Sequence, residues 1–297
     1  MSQSPSTKSG IQTLAMSAFM FSLMSLGVKL AGRHLPSQQI VVIRTIISFI
    51  LSFILIWRAG IPIWGTNKKL LFLRGFFGFC GLDCFFYSLS QLPIAEATVL
   101  QYTSPIWTAL LAALVLKERI SPSLLLSIGL CLVGLVCVTR PPFLFGQTAT
   151  RVPTYAYLVG FAGAFFSACA YVTVRHLSKL EHELVIVFYF PMVALPFSIP
   201  TVFPIKVIPT AMDLLIVLGV GICAQIAQVY LTRGMKFLQA GRSAAVLYLQ
   251  IVFAAAWGIL FFQEVPTPWT IFGAIFILCG TILASMPPEK EVSATGA

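Results

Sequence analysis

The chain has 297 residues, of which 58% are hydrophobic and 9% charged, with a mean hydropathy of +0.94 and a net charge of +10. A soluble domain of this size cannot hide so much apolar surface, because its surface grows almost as fast as its volume; lipid is therefore the solvent for most of the chain.

Apolar runs of about 20 residues span ~30 Å of hydrocarbon at 1.5 Å per residue. Ten can be marked in chain order: 11–33, 38–58, 70–91, 94–116, 122–139, 154–177, 183–203, 211–233, 240–262 and 267–286. The ends, MSQSPSTKSG and PPEKEVSATGA, are polar, and the N-terminal tail is too polar, its following span too long, for a cleaved secretory signal. The expectation is an all-α polytopic protein of ten transmembrane helices, seated in the cell inner (plasma) membrane.

The basic balance could point to nucleic acid, but the placement of the 19 Lys and Arg residues gives another reason for it. With the N-terminus in the cytoplasm, thirteen fall on the cytoplasmic side (Arg74, Arg175 and Arg242 among them), four outside (Arg33, Arg140, Arg151, Lys206), and Lys29 and Arg44 within spans. This bias puts both termini in the cytoplasm and leaves no nucleic-acid partner to invoke. The seven cysteines all fall inside spans, where they act as small apolar residues. Cys80 and Cys84 share a helix face, but with no histidine on that span no metal site is expected, and nothing calls for a cofactor.

A shift of 146 residues aligns 71–142 with 217–288 without a gap. Gly75 meets Gly221, Tyr102 meets Tyr248, Glu118 meets Glu264, Pro122 meets Pro268, and Pro141-Pro142 meets Pro287-Pro288. Chance explains matched leucines, not a matched glutamate and paired prolines, so the chain is read as a duplication. Residues 11–139 form the first five-helix repeat, 154–286 the second, and 140–153 a linker. Five spans per half make the second repeat enter the membrane inverted. Inverted halves rocking about an axis in the membrane plane can open one central site to either side in turn, the architecture of secondary transporters.

The stretch RGFFGFCGLDCFFYSLSQLPIAEATVLQYTSPIWTALLAALVLKERISP resembles the third to fifth helices of EamA-type carriers of the drug/metabolite transporter superfamily. The shared marks are its Arg-Gly start, its Ala-rich fourth helix after a small LP turn, and its Glu followed by Ser-Pro. QAGRSAAVLYLQIVF, QE and TP are the weaker second copy. The resemblance implies a central cavity lined by the first, third, fourth, sixth, eighth and ninth spans, with the fifth and tenth peripheral. It does not specify a substrate, since such carriers move amino acids, nucleotide sugars, phosphorylated sugars, S-adenosylmethionine and other metabolites.

Ionisable groups inside a span cost about 2.5–3.5 kcal/mol each on insertion scales and so mark candidate sites. Lys29, Arg44 and Asp83 lie ~6, ~9 and ~12 Å below the outer ends of the first, second and third spans at 1.5 Å per residue, with Glu96 at the rim. Two readings fit. The three form a structural ion-pair cluster, or the surplus of cations offers a substrate carboxylate or phosphate a partner. Arg44 is the weaker contact candidate, because the second span is not among those the resemblance places on the cavity. Polar stripes at helical spacing (Ser22, Ser25 and Lys29; Asp83, Tyr87 and Ser90; Gln225, Gln228 and Thr232) face either the cavity or neighbouring helices. Tyr102 and Tyr248, exchanged by the repeat, are expected on opposite sides of one site. Pro105 removes a backbone donor and is expected to bend the fourth span and expose a carbonyl. Glu118 is expected near the positive end of the helix that follows it, with Ser121 capping that helix.

The candidate substrate residues are thus Lys29, Arg44, Asp83, Tyr87, Tyr102, Gln225, Gln228 and Tyr248. The expected activity is carriage of a small organic metabolite, such as an amino acid or related solute, by alternating access, as export or exchange. Uptake of a solute such as S-adenosylmethionine is the alternative within the class; a channel and a membrane-embedded enzyme are the alternatives outside it. The enzyme lacks its motifs: no Walker-type Gly-Lys loop, no GxSxG, no HExxH.

Overall fold

The computed structural model describes residues 5–92, 94–139, 154–203, 207–263 and 267–286. The linker 140–153, the cations Arg140, Arg151, Lys206 and Lys290, and Glu264 with the second proline pair lie outside the described residues, as does the side chain of Glu96. The described chain is helical: α1 Pro5–Ala31, α2 Ser37–Ala59, α3 Lys68–Gln91, α4 Ile94–Gln101, α5 Ser104–Val115, α6 Pro122–Thr139, α7 Thr154–Leu177, α8 Glu183–Ser198, α9 Ala211–Phe237, α10 Ala240–Val246, α11 Leu249–Phe262 and α12 Pro268–Ser285, with a 3-10 turn over Ile199–Val202. Among the described residues nine spans are long and apolar enough to cross a membrane, and Pro268–Ala284 is a shorter apolar helix. In lipid every backbone amide must be satisfied within the protein, which is why the apolar runs resolve as helices. Their outward faces carry large apolar side chains, such as Leu114, Leu158 and Phe272.

Helix starts follow local capping chemistry. The Ser121 hydroxyl accepts from the Leu124 amide ahead of Pro122, and Thr210 and Asp213 close a reciprocal capping box at α9. The expected fourth and ninth spans are each two helices. α4 and α5 part at Tyr102–Thr103, α10 and α11 at Leu247–Tyr248, so both repeats break at the matching tyrosine.

Each half lends its helices to the other. α1 packs on α9 and, equivalently, α3 on α7; α3 on α8 and α9 on α2; α5 on α7 and α11 on α1. α2 with α8, and α6 with α12, pair with their own counterparts. The α6–α12 crossing is close because it is built on small residues: a Cβ on Gly134 would come within 2.6 Å of the Gly273 carbonyl, and one on Gly273 equally near the Gly134 carbonyl. Direction of travel shows the inversion. α1 leaves the face where the chain begins, whereas α7 arrives at it, its Arg175 bonding Glu118 beyond the end of α5.

Polar ties gather on that N-terminal face. Glu183 pairs with Arg233 at 2.7 Å, and the Tyr189 hydroxyl donates to the Trp64 carbonyl at 2.9 Å. Glu181, in the α7–α8 loop, accepts from the amides of Thr66 and Asn67 at 2.8 and 2.6 Å. Burial pushes its carboxyl up, but these bonds and the Thr66 hydroxyl outweigh it and hold the group below the ordinary carboxylate range.

Candidate substrate cavity

Between the two halves lies a cavity walled by Arg44 and Ser48 from α2, Phe190 from α8, Gln225 and Gln228 from α9, and Phe21 from α1. Arg44 is the charged group on its lining. Its Nη1 donates to the Met24 Sδ at 3.2 Å, a weak acceptor that leaves most of the guanidinium's hydrogen-bonding capacity uncommitted. Gln225 is buried and anchored, its Nε2 donating to the Ser52 Oγ at 2.8 Å. Gln228 accepts at Oε1 from the Arg74 Nη2 at 3.0 Å.

The walls differ from those the family resemblance implies. The second and seventh spans, α2 and α8, form much of the lining because they pack on each other and each touches the other half's third helix. Arg44, the weaker candidate on the sequence, is thereby placed in the cavity.

The three ionisable groups that the sequence places in the outer half of the membrane are separated in space. Lys29 is exposed near the end of α1, its Nζ 4.0 Å from the centre of the Phe262 ring. Asp83 is on an exposed face of α3, in a separate pocket with Gln38, Ser198 and Thr201. Tyr87, also exposed, lies beside Tyr155, ring centres 6.3 Å apart. Depth along a helix is legible in sequence, but the direction a side chain points around it is set by packing, and packing turns Lys29, Arg44 and Asp83 to three different places.

Tyr102 and Tyr248 are brought together instead of facing each other across a site. Their ring centres are 5.4 Å apart, and Tyr248 is fully buried against Cys131, Leu135 and Ile277. Tyr248 is core at the seam, and Tyr102, partly buried, packs against it. Gln225 and Gln228 reach the cavity, whereas Ser22 accepts from the Trp257 Nε1 at 2.9 Å and Thr232 donates back to the Gln228 carbonyl; the side chain of Ser90 lies outside the described residues.

Sequence reasoning missed Arg74. Counted with the cytoplasmic cations, it is 3% exposed and sits six residues inside α3, stacked 5.0 Å from the Phe190 ring centre. Its place inside the 70–91 apolar run was the available signal. Arg175 is likewise buried: Nε bonds the Glu118 Oε1 at 2.9 Å, and Nη1 the Met235 and Lys236 carbonyls that end α9. The second oxygen of Glu118 accepts from the Ala240 amide at 2.8 Å. Glu118 therefore serves the start of α10, in the other repeat, and not the α6 helix that follows it.

The model of the EamA-like transporter family matches this chain twice, over residues 8–140 and 154–286. The chain belongs to that family. The two EamA-like matches begin and end 146 residues apart, the offset at which Tyr102 meets Tyr248. Over 94% of this chain and 96% of its own length, the pseudopaline exporter CntI of Pseudomonas aeruginosa is 35% identical. Human solute carrier family 35 member G1 is 28% identical over 93% of this chain and 79% of its own. A crystal structure of another protein superposes over the whole of both chains with a TM-score of 0.79 at 20% identity, a likeness of fold. This EamA-like chain is a multi-pass membrane transporter, not an enzyme.

Proposed function

We propose that this protein is an alternating-access carrier of the cell inner membrane that exports or exchanges a small organic metabolite bearing a carboxylate or phosphate. The observation that carries the reading is the exchanged packing of the halves: α1 on α9 matched by α3 on α7, around a cavity that holds Arg44. Two inverted halves that interlock by equivalent contacts have two equivalent ways to part, one opening to each side. The discontinuous helices at Tyr102 and Tyr248 lie at their seam, where hinge bending costs least because the α-helical ladder is already interrupted. The likeness to a named exporter over most of the chain supports the outward direction. The excess of Lys and Arg on the N-terminal face supports cytoplasmic termini.

A metabolite-library thermal-shift screen on the purified protein finds the ligand, because a compound that binds only the folded state raises its apparent stability. In vesicles, flux of that compound is expected to saturate and to accelerate when the same compound is placed on the far side. Unsaturable flux with no such acceleration would indicate a channel and sink the carrier reading.

A further inference from the structure

Arg44 lines the cavity and Arg74 lies behind its wall, the two entering the bilayer from opposite faces. Arg44 is seven residues along α2 from Ser37, and Arg74 six residues along α3 from Lys68, on the other face. At 1.5 Å per residue these are depths of about 10 and 9 Å, so the two cations flank the middle of the bilayer. Gln228, which accepts from Arg74, and Phe190, on which Arg74 stacks, are themselves on the cavity lining.

Neither guanidinium is matched by a carboxylate there: no Asp or Glu is among the described residues lining the cavity. The Arg74 Nε is enclosed and has no hydrogen-bond partner among the described residues. A guanidinium offers five donors, and a buried donor left unmade is costly. Gln228, with Oε1 taken by Arg74, keeps its NH2 group as a donor on a residue of the cavity lining. Phe21 and Phe190 give the lining apolar surface.

We propose that Arg44 and Arg74 form a two-point anion site, and that the transported solute carries two acidic groups, one for each arginine, joined by a short organic segment lying on Phe21 and Phe190. The planar fork of each guanidinium fits a carboxylate or a phosphate equally, and the experiment distinguishes them. The proposal rests on the carrier reading for its cavity but specifies the ligand independently of flux.

The test is binding of glutarate, malate and 3-phosphoglycerate to the full chain in nanodiscs, with butyrate and glycerol as one-acid and no-acid comparisons. At least one of the two-acid probes is expected to raise the melting temperature where butyrate and glycerol at the same concentration do not. The carboxylate and phosphate probes, compared, show which acid is preferred. Arg44→Gln and Arg74→Gln are each expected to weaken that binding about tenfold or more, and Arg44→Lys and Arg74→Lys to recover part of it. No stabilisation of the wild-type chain by any two-acid probe overturns the proposal without recourse to a variant. So does equal binding by both glutamine variants. Far-side-stimulated flux of a neutral or cationic solute, with no two-acid probe bound, overturns the anion site and leaves the carrier standing. Binding of a two-acid probe with no saturable flux does the reverse.

Discussion

The Tyr248 hydroxyl donates to the backbone carbonyl of Tyr102, its counterpart 146 residues earlier in the chain. The reason is visible one turn on. In the second repeat the Tyr248 carbonyl accepts from the Ile251 amide at 2.9 Å. The matching position in the first repeat is Pro105, which has no amide hydrogen, so the Tyr102 carbonyl loses that donor. One repeat satisfies its break locally and the other is satisfied by its twin.

Tyr248→Phe should therefore destabilise the protein by about 1–3 kcal/mol, the cost of leaving a buried acceptor unmade. Tyr102→Phe leaves this bond intact. Pro105→Ala restores an amide in the first repeat, and in that background Tyr248→Phe should cost less. Thermal unfolding of the wild type, Tyr248→Phe, Pro105→Ala and the double variant in nanodiscs forms the double-mutant cycle; equal cost of Tyr248→Phe in both backgrounds would contradict the account.

The Glu118–Arg175 pair crosses between the halves on the N-terminal face, with side chains 14% and 10% exposed. Glu118→Ala strands Arg175 and the Ala240 amide together and should cost about 3 kcal/mol, as breaking a buried ion pair does. Glu118→Gln keeps an acceptor for Ala240 and should cost clearly less. A melting series that ranks glutamine at or below alanine would show that the ion pair does not act through these two bonds.

Glycine positions separate close approach from open space. Gly134→Ala and Gly273→Ala each push a methyl group to 2.6 Å from the other helix's carbonyl, and each should cost about 1–3 kcal/mol by overpacking. Gly129, five residues earlier on the same helix, has nothing within 4 Å of a Cβ. There alanine should be neutral or stabilising by up to about 1 kcal/mol, through helix propensity alone. Comparable losses at all three positions, read from unfolding midpoints, would refute a crossing built on Gly134 and Gly273.

Much of the fold was legible because each span is a local decision. Lipid forces every backbone amide to pair within its own helix, so apolar length alone marks where helices lie, and α6 and α7 match their expected ranges of 122–139 and 154–177. The break at Tyr102 could be anticipated from Pro105. Its twin at Tyr248 could not, since Ile251 gives no local reason to interrupt a helix.

By itself the sequence determined the membrane class, the duplication, and the depth of each polar group along its helix, because these depend on composition, register and length. Only the tertiary structure decided which of those groups meet. It sent Lys29 to Phe262, Asp83 to a pocket of its own, and Glu118 to the opposite repeat, while drawing Arg74 from the cytoplasmic tally to Gln228 behind Arg44's cavity. The rotation of a helix about its axis costs nothing in its own hydrogen bonds, so it is settled by contacts such as Gly134 against Gly273 that join residues far apart in the chain.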